Sequence, residues 1–291
     1  MARGKSFIKT NPDRFRLNQL PYLLAILPYL VFTLLPLIYI FNHALKPFDE
    51  LIESPPRFFV RRPTLENFGE LFRVATTSGI HASRYLFNSV VITAVVVFLS
   101  VFLSSITGFA LSKLKFKLKA ALNRANTLAL MFVGVAVMIP RYLIIESLGL
   151  IDTFFVHIVP FLAVPVGLFL IKQFIDQVPN ELIEAAKMDG AGSFTIYRRI
   201  ILPMIKPAIA TIAILSFQAV WNDAGTSATY IDSDQLKTFA YFMNTLSASS
   251  NVVAGQGMSA AAALIMFVPN LIIFIVLQGK VMNTMAHSGI K

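Results

Sequence analysis

The sequence predicts an all-α, polytopic membrane protein with six transmembrane helices. Hydrophobic residues make up 56% of the 291 residues and charged residues only 14%, and the mean hydropathy is +0.70. Since a soluble domain carries about 25% charged residues, lipid is the simpler solvent for this much apolar surface. The chain contains no cysteine, which excludes disulfides, thiolate metal sites and cysteine nucleophiles.

Six stretches of the chain are predominantly apolar and long enough to cross about 30 Å of hydrocarbon. The first, 20–45, contains no acidic residue, Lys or Arg. It contains Pro28 and Pro36, which predict kinks of a kind that membrane helices tolerate. The other five predicted transmembrane helices are 85–112, 125–147, 153–171, 207–231 and 258–277.

Lysine and arginine residues predict the orientation of these helices. If the helices cross in alternate directions, 17 of the 25 cations lie on the side of the N-terminus and 8 on the other side. Because cytoplasmic loops carry the excess of Lys and Arg, we expect both termini in the cytoplasm. The same bias accounts for much of the net charge of +10 without a nucleic-acid partner.

These crossings divide the chain into segments. The predicted segments are a cytoplasmic N-terminal segment (1–19), the first transmembrane helix (20–45), an extracytoplasmic loop (46–84), a transmembrane core (85–282) and a cytoplasmic tail (283–291). Within the core, a long polar segment, 177–206, separates the fourth and fifth predicted helices and falls on the cytoplasmic side.

The polar segment begins with the signals of a short helix. Pro179 suits a first helical position, and Glu181 and Glu184 fall in the first turns, where the helix dipole favours acidic residues. Gly190 and Gly192 predict the end of this helix. Together with a second short helix that follows it, this helix forms a pair of capped helices at the membrane surface, and such a pair indicates a docking element.

A second short helix is predicted to follow in the same segment. Ser193 is its expected cap, Arg198 and Arg199 lie towards its C-terminal end, and Pro203 is its expected end.

The motif in this segment has a defined spacing. Glu184-Ala185-Ala186 is followed by three residues and Gly190, then by nine residues and Ile200, then by one residue and Leu202-Pro203. This resembles the EAA loop of ABC-importer permeases, EAA-x3-G-x9-I-x-LP, with every defining position filled. We call 177–206 the EAA segment.

Other stretches are similar to the carbohydrate branch of these permeases, of the maltose-permease type. They include 108–116, 138–143, 148–153 and Trp221-Asn222-Asp223. Within that branch the chain most resembles permeases for oligosaccharides of acidic polysaccharides such as alginate. It departs from the branch at 224–227, where Ala-Gly-Thr-Ser stands in place of bulky apolar residues. This departure weakens any transfer of pore contacts from better-known sugar permeases.

The resemblance implies half of the membrane pathway of an ATP-driven oligosaccharide importer in the cytoplasmic (inner) membrane of a bacterium. The implied partners are a second, homologous permease chain in a heterodimer, two ATP-binding subunits, an extracytoplasmic solute-binding protein and membrane lipid. No G-x-x-x-x-G-K-[ST] phosphate loop is present, so this chain is expected to hold no cofactor and not to be an enzyme; ATP and Mg are expected in the partner ATPases. A neutral sugar remains an alternative cargo.

Two sets of site residues follow. The residues implied to couple to the ATPase are Glu184, Ala185, Ala186, Asp189, Gly190, Ile200, Leu202 and Pro203. In the docking surface, Ile183, Ala185 and Ala186 are expected to form a small apolar face that a partner backbone approaches closely.

Polar residues within membrane helices are functional candidates by default. The candidates for the substrate pathway are Asn88, Arg141, Gln218, Trp221, Asn222 and Asp223. Hydrogen bonding between helices is the structural alternative for asparagine, and an interfacial anchor is the alternative for Trp221. Arg141 either extends to the outer surface or, beside a water-filled pathway, binds a sugar carboxylate with its planar fork.

Two other function classes fit the sequence less well. An ion-coupled secondary transporter needs ionisable residues near the membrane midplane, and the predicted helix centres contain almost no acids. A membrane-embedded enzyme needs a catalytic set, but no Ser/His/Asp combination is evident and the four histidines lack the spacing of metal ligands.

Overall fold

The computed structural model describes residues 20–73, 79–132, 134–249 and 253–288, which form helices and no β-strand. The predicted N-terminal segment 1–19 and the last residues of the predicted tail, 289–291, lie outside the described residues. The helices are α1 (Leu20–Leu45), α2 (Phe48–Leu51), α3 (Glu66–Arg73), α4 (Ala82–Lys113), α5 (Lys119–Ala129), α6 (Met138–Ser147), α7 (Val159–Leu162), α8 (Pro165–Asp176), α9 (Asn180–Met188), α10 (Ser193–Ile196), α11 (Leu202–Met204), α12 (Lys206–Trp221), α13 (Gly225–Tyr230), α14 (Phe239–Ser249) and α15 (Val253–Ser288). Short 3-10 helices span Phe154–His157 and Asp234–Leu236, and a π-helical turn spans Tyr197–Ile201.

Four helical stretches in the described residues are long and apolar enough to cross a membrane. They are Leu20–Leu45, Ala82–Lys113, Phe154–Asp176 and Gly255–Gly279. A fifth is formed if Ser193–Met204 and Lys206–Trp221, which meet at an angle of 80°, count as one span. The chain is therefore a helical membrane protein with four or five candidate spans, and the count of six remains a prediction.

The third predicted transmembrane helix, 125–147, is not continuous. Helix α5 ends at Ala129 and α6 begins at Met138, and neither is long enough to span a bilayer. Gly134 favours a turn in the intervening stretch, and Pro140 has no N–H to donate to the carbonyl of Ala136. These residues explain why apolar composition alone does not maintain one helix here.

The fifth and sixth predicted helices also differ from the structure. Non-helical residues 222–224 divide the predicted stretch 207–231 into α12 and α13. The residues between the fifth and sixth predicted helices include a further helix, α14. Phe239 and Phe242 of α14 are buried, and the Phe242 ring stacks on Tyr85 with centroids 5.0 Å apart. Burial of this aromatic face stabilises α14, although its serine and asparagine residues are more typical of a loop.

A cluster of isoleucines and aromatic residues connects the EAA segment to the long helices. Its buried members include Ile171, Ile175, Ile183, Ile196, Ile201, Ile205, Ile212, Phe109 and Tyr197. They come from α4, α8, α9, α10, the π-helical turn and α12. The EAA segment is thus part of a hydrophobic core, since its apolar side chains are shared with the helices on which it lies.

Helices α4 and α8 approach closely at Gly108. A methyl group added at Gly108 would lie 2.5 Å from Ile171 Cγ2, and Ile171 is fully buried. A glycine at this position therefore permits the contact between the two helices.

We expect Gly108→Ala to lower the stability of the purified chain by about 1–3 kcal/mol, because the added methyl group overpacks this contact. Thermal unfolding in detergent measures the change. Gly69→Ala is the matched control, since a methyl group there meets no atom within 4 Å. In an Ile171→Ala background the cost of Gly108→Ala should shrink. An unchanged cost in that background would contradict the packing explanation.

Candidate functional site

The EAA segment is fixed to α4 where α9 begins. Pro179 is the residue before α9 rather than its first helical residue, so the predicted start is displaced by one position. Lys113 Nζ donates hydrogen bonds to the Val178 carbonyl, at 2.7 Å, and to Asn180 Oδ1, at 2.8 Å. One lysine at the end of α4 therefore holds both residues that flank Pro179.

Helix α9 ends in a Schellman motif, as Gly190 predicted. Gly190 has a positive φ of 81°. The N–H of Ala191 donates to the Ala186 carbonyl at 2.9 Å, and the N–H of Gly190 donates to the Lys187 carbonyl at 3.0 Å. Glycine adopts this left-handed conformation without the steric cost that a Cβ atom brings. Gly190 thus sets the direction in which the chain leaves the EAA helix.

The second half of the EAA segment differs from the prediction at both ends. Ser193 is the first residue of α10, Gly192 precedes it, and no side chain caps this helix. The helical run continues through the π-helical turn and α11 to Met204, so Pro203 does not end it. The wide π turn accommodates Pro203, whose ring would clash with the carbonyl one regular turn earlier.

The faces of α9 divide the EAA motif into inward and outward residues. Ile183 is 6% exposed and lies in the isoleucine cluster, and Ala186 is half-buried against it. Ala185 lies on the opposite face with Met188, which is 88% exposed. The expectation that Ile183 belongs to a partner-facing surface is therefore wrong, because its side chain is already used inside the fold.

The remaining coupling candidates follow the same division. Glu184, Asp189, Gly190 and Pro203 are exposed, whereas Ile200 and Leu202 are half-buried against the cluster. Among the described residues, the carboxylates of Glu184 and Asp189 have no hydrogen-bond or ion-pair partner. Together with Phe194, which is 64% exposed, the segment presents acidic and apolar groups side by side.

Tyr197 connects the π-helical turn to α4. Its hydroxyl and that of Ser105 are 2.7 Å apart and both residues are buried. Its ring lies 5.7 Å from the Phe109 ring. Tyr197 is not among the predicted site residues, because a tyrosine beside two arginines gives no signal of burial in the sequence.

Two of the substrate-pathway candidates, Asn88 and Trp221, are buried and donate hydrogen bonds within the fold. Asn88 is 1% exposed, and its amide donates to the carbonyls of Gln235, at 2.8 Å, and Lys237, at 2.9 Å. Trp221 is 4% exposed and donates from Nε1 to the Met266 carbonyl at 3.0 Å. Both side chains hold other segments of the chain against the long helices.

Three further candidates lie around the end of α12. The side chains of Gln218 and Asn222 are exposed, and Asn270 Nδ2 of α15 donates to Asn222 Oδ1 at 3.3 Å. The Asp223 carboxylate accepts from the Thr226 N–H at 3.3 Å, which places an acceptor at the start of α13. Gln218 and Asn222 thus form an accessible polar patch, whereas Asp223 contributes to local structure.

Arg141 lies in α6 beside a cavity of about 440 Å³. Its guanidinium carbon is 5.5 Å from the centre of the Phe161 ring. Its Nη2 atom is buried and has no hydrogen-bond partner among the described residues. The guanidinium therefore does not extend fully to an outer surface, and one of its edges is left without an acceptor.

Asp152 is a further structural residue, which lies outside both sets of predicted site residues. It has a φ of 53°, which is uncommon for a residue with a side chain. Its carboxylate accepts hydrogen bonds from the N–H of Asp232 at 3.1 Å, the N–H of Ser233 at 2.8 Å and the hydroxyl of Ser233 at 2.6 Å. The hydrogen bonds from Ser233 hold the pKa of Asp152 below its usual range, so this link is lost only as the pH falls through that lowered pKa.

A family model decides what kind of protein carries this site. Residues 100–279 match the model described as the binding-protein-dependent transport system inner membrane component. The match covers more than half of the chain and includes the whole EAA segment. The chain belongs to this family of ABC transporter permeases. It is a membrane transport component rather than an enzyme.

Individual relatives of this permease agree with the family. It is 31% identical over 273 residues to the probable ABC transporter permease protein YurM of Bacillus subtilis (strain 168), covering 90% of this chain and 85% of that one. It is 28% identical to the trehalose transport system permease protein SugB of Mycobacterium tuberculosis (strain CDC 1551 / Oshkosh), covering 92% and 96%.

A solved structure has the same fold as the permease. It is a chain of a bacterial ABC transporter involved in the import of the acidic polysaccharide alginate, with a TM-score of 0.80 at 19% identity. The match covers 91% of the permease and 98% of that chain.

We expect Tyr197→Phe to destabilise the permease by about 1 kcal/mol, because it removes the buried hydrogen bond with Ser105. Thermal unfolding of Tyr197→Phe, Ser105→Ala and the double variant forms a double-mutant cycle. The double variant should cost less than the two single changes together. Strict additivity would mean that the two hydroxyls do not interact.

Proposed function

We propose that this permease is a subunit of an ATP-driven importer and forms half of the pathway for an oligosaccharide delivered by a solute-binding protein. The observation that carries the proposal is the construction of the EAA segment. Its inner face is fixed in the isoleucine cluster, and its outer face presents exposed Ala185, Met188 and Phe194. A surface with apolar groups on a firmly packed base suits the docking of another protein.

The partner on that surface is an ATP-binding subunit. Ala185 has a small side chain, which lets a partner backbone approach, and Met188 adapts its shape to a groove. Glu184 and Asp189 flank these residues with unpaired carboxylates. ATP and Mg belong to the partner ATPases, and this chain supplies no residue to them in the proposal.

Movement of the ATPase reaches the pathway through α12. The helical run of the EAA segment meets α12 at 80°, and Tyr197 joins this run to α4. Displacement of the docked surface therefore turns a rigid arm about Ile205. The ends of α4 and α12 then change their separation and open the pathway alternately to each side.

The membrane arrangement in the proposal has six crossings, with α5, α6 and the residues between them forming the third. Both termini and the EAA segment lie in the cytoplasm of a bacterial cell, in agreement with the distribution of Lys and Arg. A second, homologous permease chain completes the pathway as a heterodimer. In this arrangement 46–84 faces the solute-binding protein and 283–291 is a cytoplasmic tail.

The cargo in the proposal is a sugar, with an acidic oligosaccharide as the specific candidate. The names of two similar proteins support it, since one transports trehalose and the other belongs to an importer of alginate. An importer driven by an ion gradient is the competing mechanism. Uptake by the lone permease under an ion gradient, without ATP, would overturn the ATP-driven proposal.

We expect Ala185→Trp to abolish co-purification of the ATPase subunits, because the indole occupies the surface that the partner approaches. Ala185 is exposed, so the thermal stability of the permease itself should change little. The experiment is affinity purification of the tagged permease from its native membrane. Ala120→Trp, which adds the same bulk to an exposed alanine of α5, should retain the ATPase. Retention of the ATPase by Ala185→Trp would place docking elsewhere.

A second pair of variants tests the direction set by Gly190. We expect Gly190→Val to reduce both ATPase recovery and ATP-driven uptake at least several-fold, because a β-branched residue is strained at φ 81°. Gly190→Asn should retain more ATPase recovery and more ATP-driven uptake than Gly190→Val, because asparagine tolerates the left-handed conformation. Equal behaviour of the two variants would show that the backbone conformation at Gly190 does not matter for coupling.

A further inference from the structure

The Arg141 guanidinium has a buried nitrogen for which the described part of the permease supplies no acceptor. A guanidinium group stays protonated and has five N–H donors. Nη2 is buried without a partner, while the side chain as a whole is half-buried, and a buried donor without an acceptor is costly. The position therefore suits an acceptor that the described residues do not supply, and an anion matches the charge of the guanidinium.

The surroundings of Arg141 orient its unpaired edge. The guanidinium carbon lies 5.5 Å from the centre of the Phe161 ring, which is a favourable cation–π arrangement. The adjoining cavity of about 440 Å³ is lined otherwise by apolar residues, among them Val137, Pro140, Ile144, Val159 and Pro160. The cavity thus has a single charged group against a largely apolar wall.

The cavity lies where the chain interrupts two of its apolar stretches. Val137 is the last residue of the break between α5 and α6. Val159 and Pro160 precede a second break, at Ala163 and Val164, within the candidate span Phe154–Asp176. Non-helical backbone at membrane depth is tolerated only where protein buries it or water reaches it. This position favours a hydrated passage over an acyl chain of lipid.

A second cavity lies near the first. It has a volume of about 360 Å³, is lined by Asn126, Ser104 and residues 162–165, and shares Val159 with the Arg141 cavity. Both cavities therefore contact α7, which ends at the second break. Successive units of a chain-like ligand would occupy them in turn.

We propose that Arg141 binds the carboxylate of an acidic sugar unit as the oligosaccharide passes the breaks between α5 and α6 and between α7 and α8. The planar fork of arginine matches a carboxylate with two parallel hydrogen bonds. The C–H faces of the sugar ring pack on the proline, valine and isoleucine side chains. This inference rests on the proposed import of an oligosaccharide and names the chemical class of its cargo.

The test is direct binding of two matched tetrasaccharides to the whole importer, purified as a complex in detergent without its solute-binding protein. One is a hexuronate tetramer and the other is the same tetramer with its carboxylates reduced to alcohols. Isothermal titration calorimetry gives the Kd for each. The wild-type importer should bind the acidic tetramer about tenfold to a hundredfold more tightly, which corresponds to one charge-assisted hydrogen-bonded pair.

The variants assign this difference to Arg141. Arg141→Gln should bring the two Kd values within about twofold of each other, and Arg141→Lys, which keeps the charge without the fork, should give an intermediate difference. Arg73→Gln is the control, because it removes an exposed arginine of α3 and should leave the difference intact. If Arg141→Gln does not assemble, the comparison of wild type with Arg141→Lys decides.

Each other outcome overturns the inference. Equal affinities in the wild type, or no binding of either tetramer, would mean that no carboxylate site exists here. A difference that persists in Arg141→Gln would assign recognition to another residue. Loss of a co-purified phospholipid or of the second permease chain in Arg141→Gln, with the sugar difference unchanged, would make the anion a phosphate or a partner carboxylate. ATP-driven uptake of a neutral sugar by the wild type would leave the proposed function intact in each case.

Discussion

The structure depends on the hydrophobic packing beneath the EAA segment. Ile183, Ile196 and Ile205 belong to this segment, yet each is buried with side chains of the long helices. The contact between Gly108 and Ile171 brings α4 and α8 close enough to form the base of this core. Without this hydrophobic packing, the EAA segment would have no fixed orientation relative to the long helices. The same packing that stabilises the fold therefore also gives the EAA segment its defined outer surface.

The inward and outward faces of α9 explain why substitutions at different positions of the EAA motif have different effects. Ala186 is half-buried against the isoleucine cluster, whereas Ala185 is exposed one residue earlier. A larger side chain at 186 would act on the core of the permease, and a larger side chain at 185 would act on whatever contacts its surface. The two neighbouring alanines therefore have different roles, although they are adjacent in the motif: Ala186 packs against the core and Ala185 forms part of the surface.

Much of the architecture could be predicted from the sequence because strong local signals determine it. Long uncharged stretches predicted α1, α4 and α15, and Gly190 predicted the end of α9 because glycine favours a positive φ. The end of α5 at Ala129 and the start of α6 at Met138 were missed, since apolar composition is the same for a continuous and an interrupted helix. The inward position of Ile183 was also missed, because it depends on side chains from distant helices. Which polar residues are accessible likewise depends on tertiary packing: Asn88 and Asn222 are the same residue type, but one is buried and the other exposed.

The hydrogen bonds of Asp152 have a consequence for how the proposed importer can open. Its carboxylate ties the turn after α6 to residues 232–233, which lie between α13 and α14. While the Asp152 carboxylate is ionised, these hydrogen bonds hold the two regions together. In the proposed importer, any opening at this end therefore has to occur along a boundary that Asp152 does not bridge, such as the one with the proposed second permease chain.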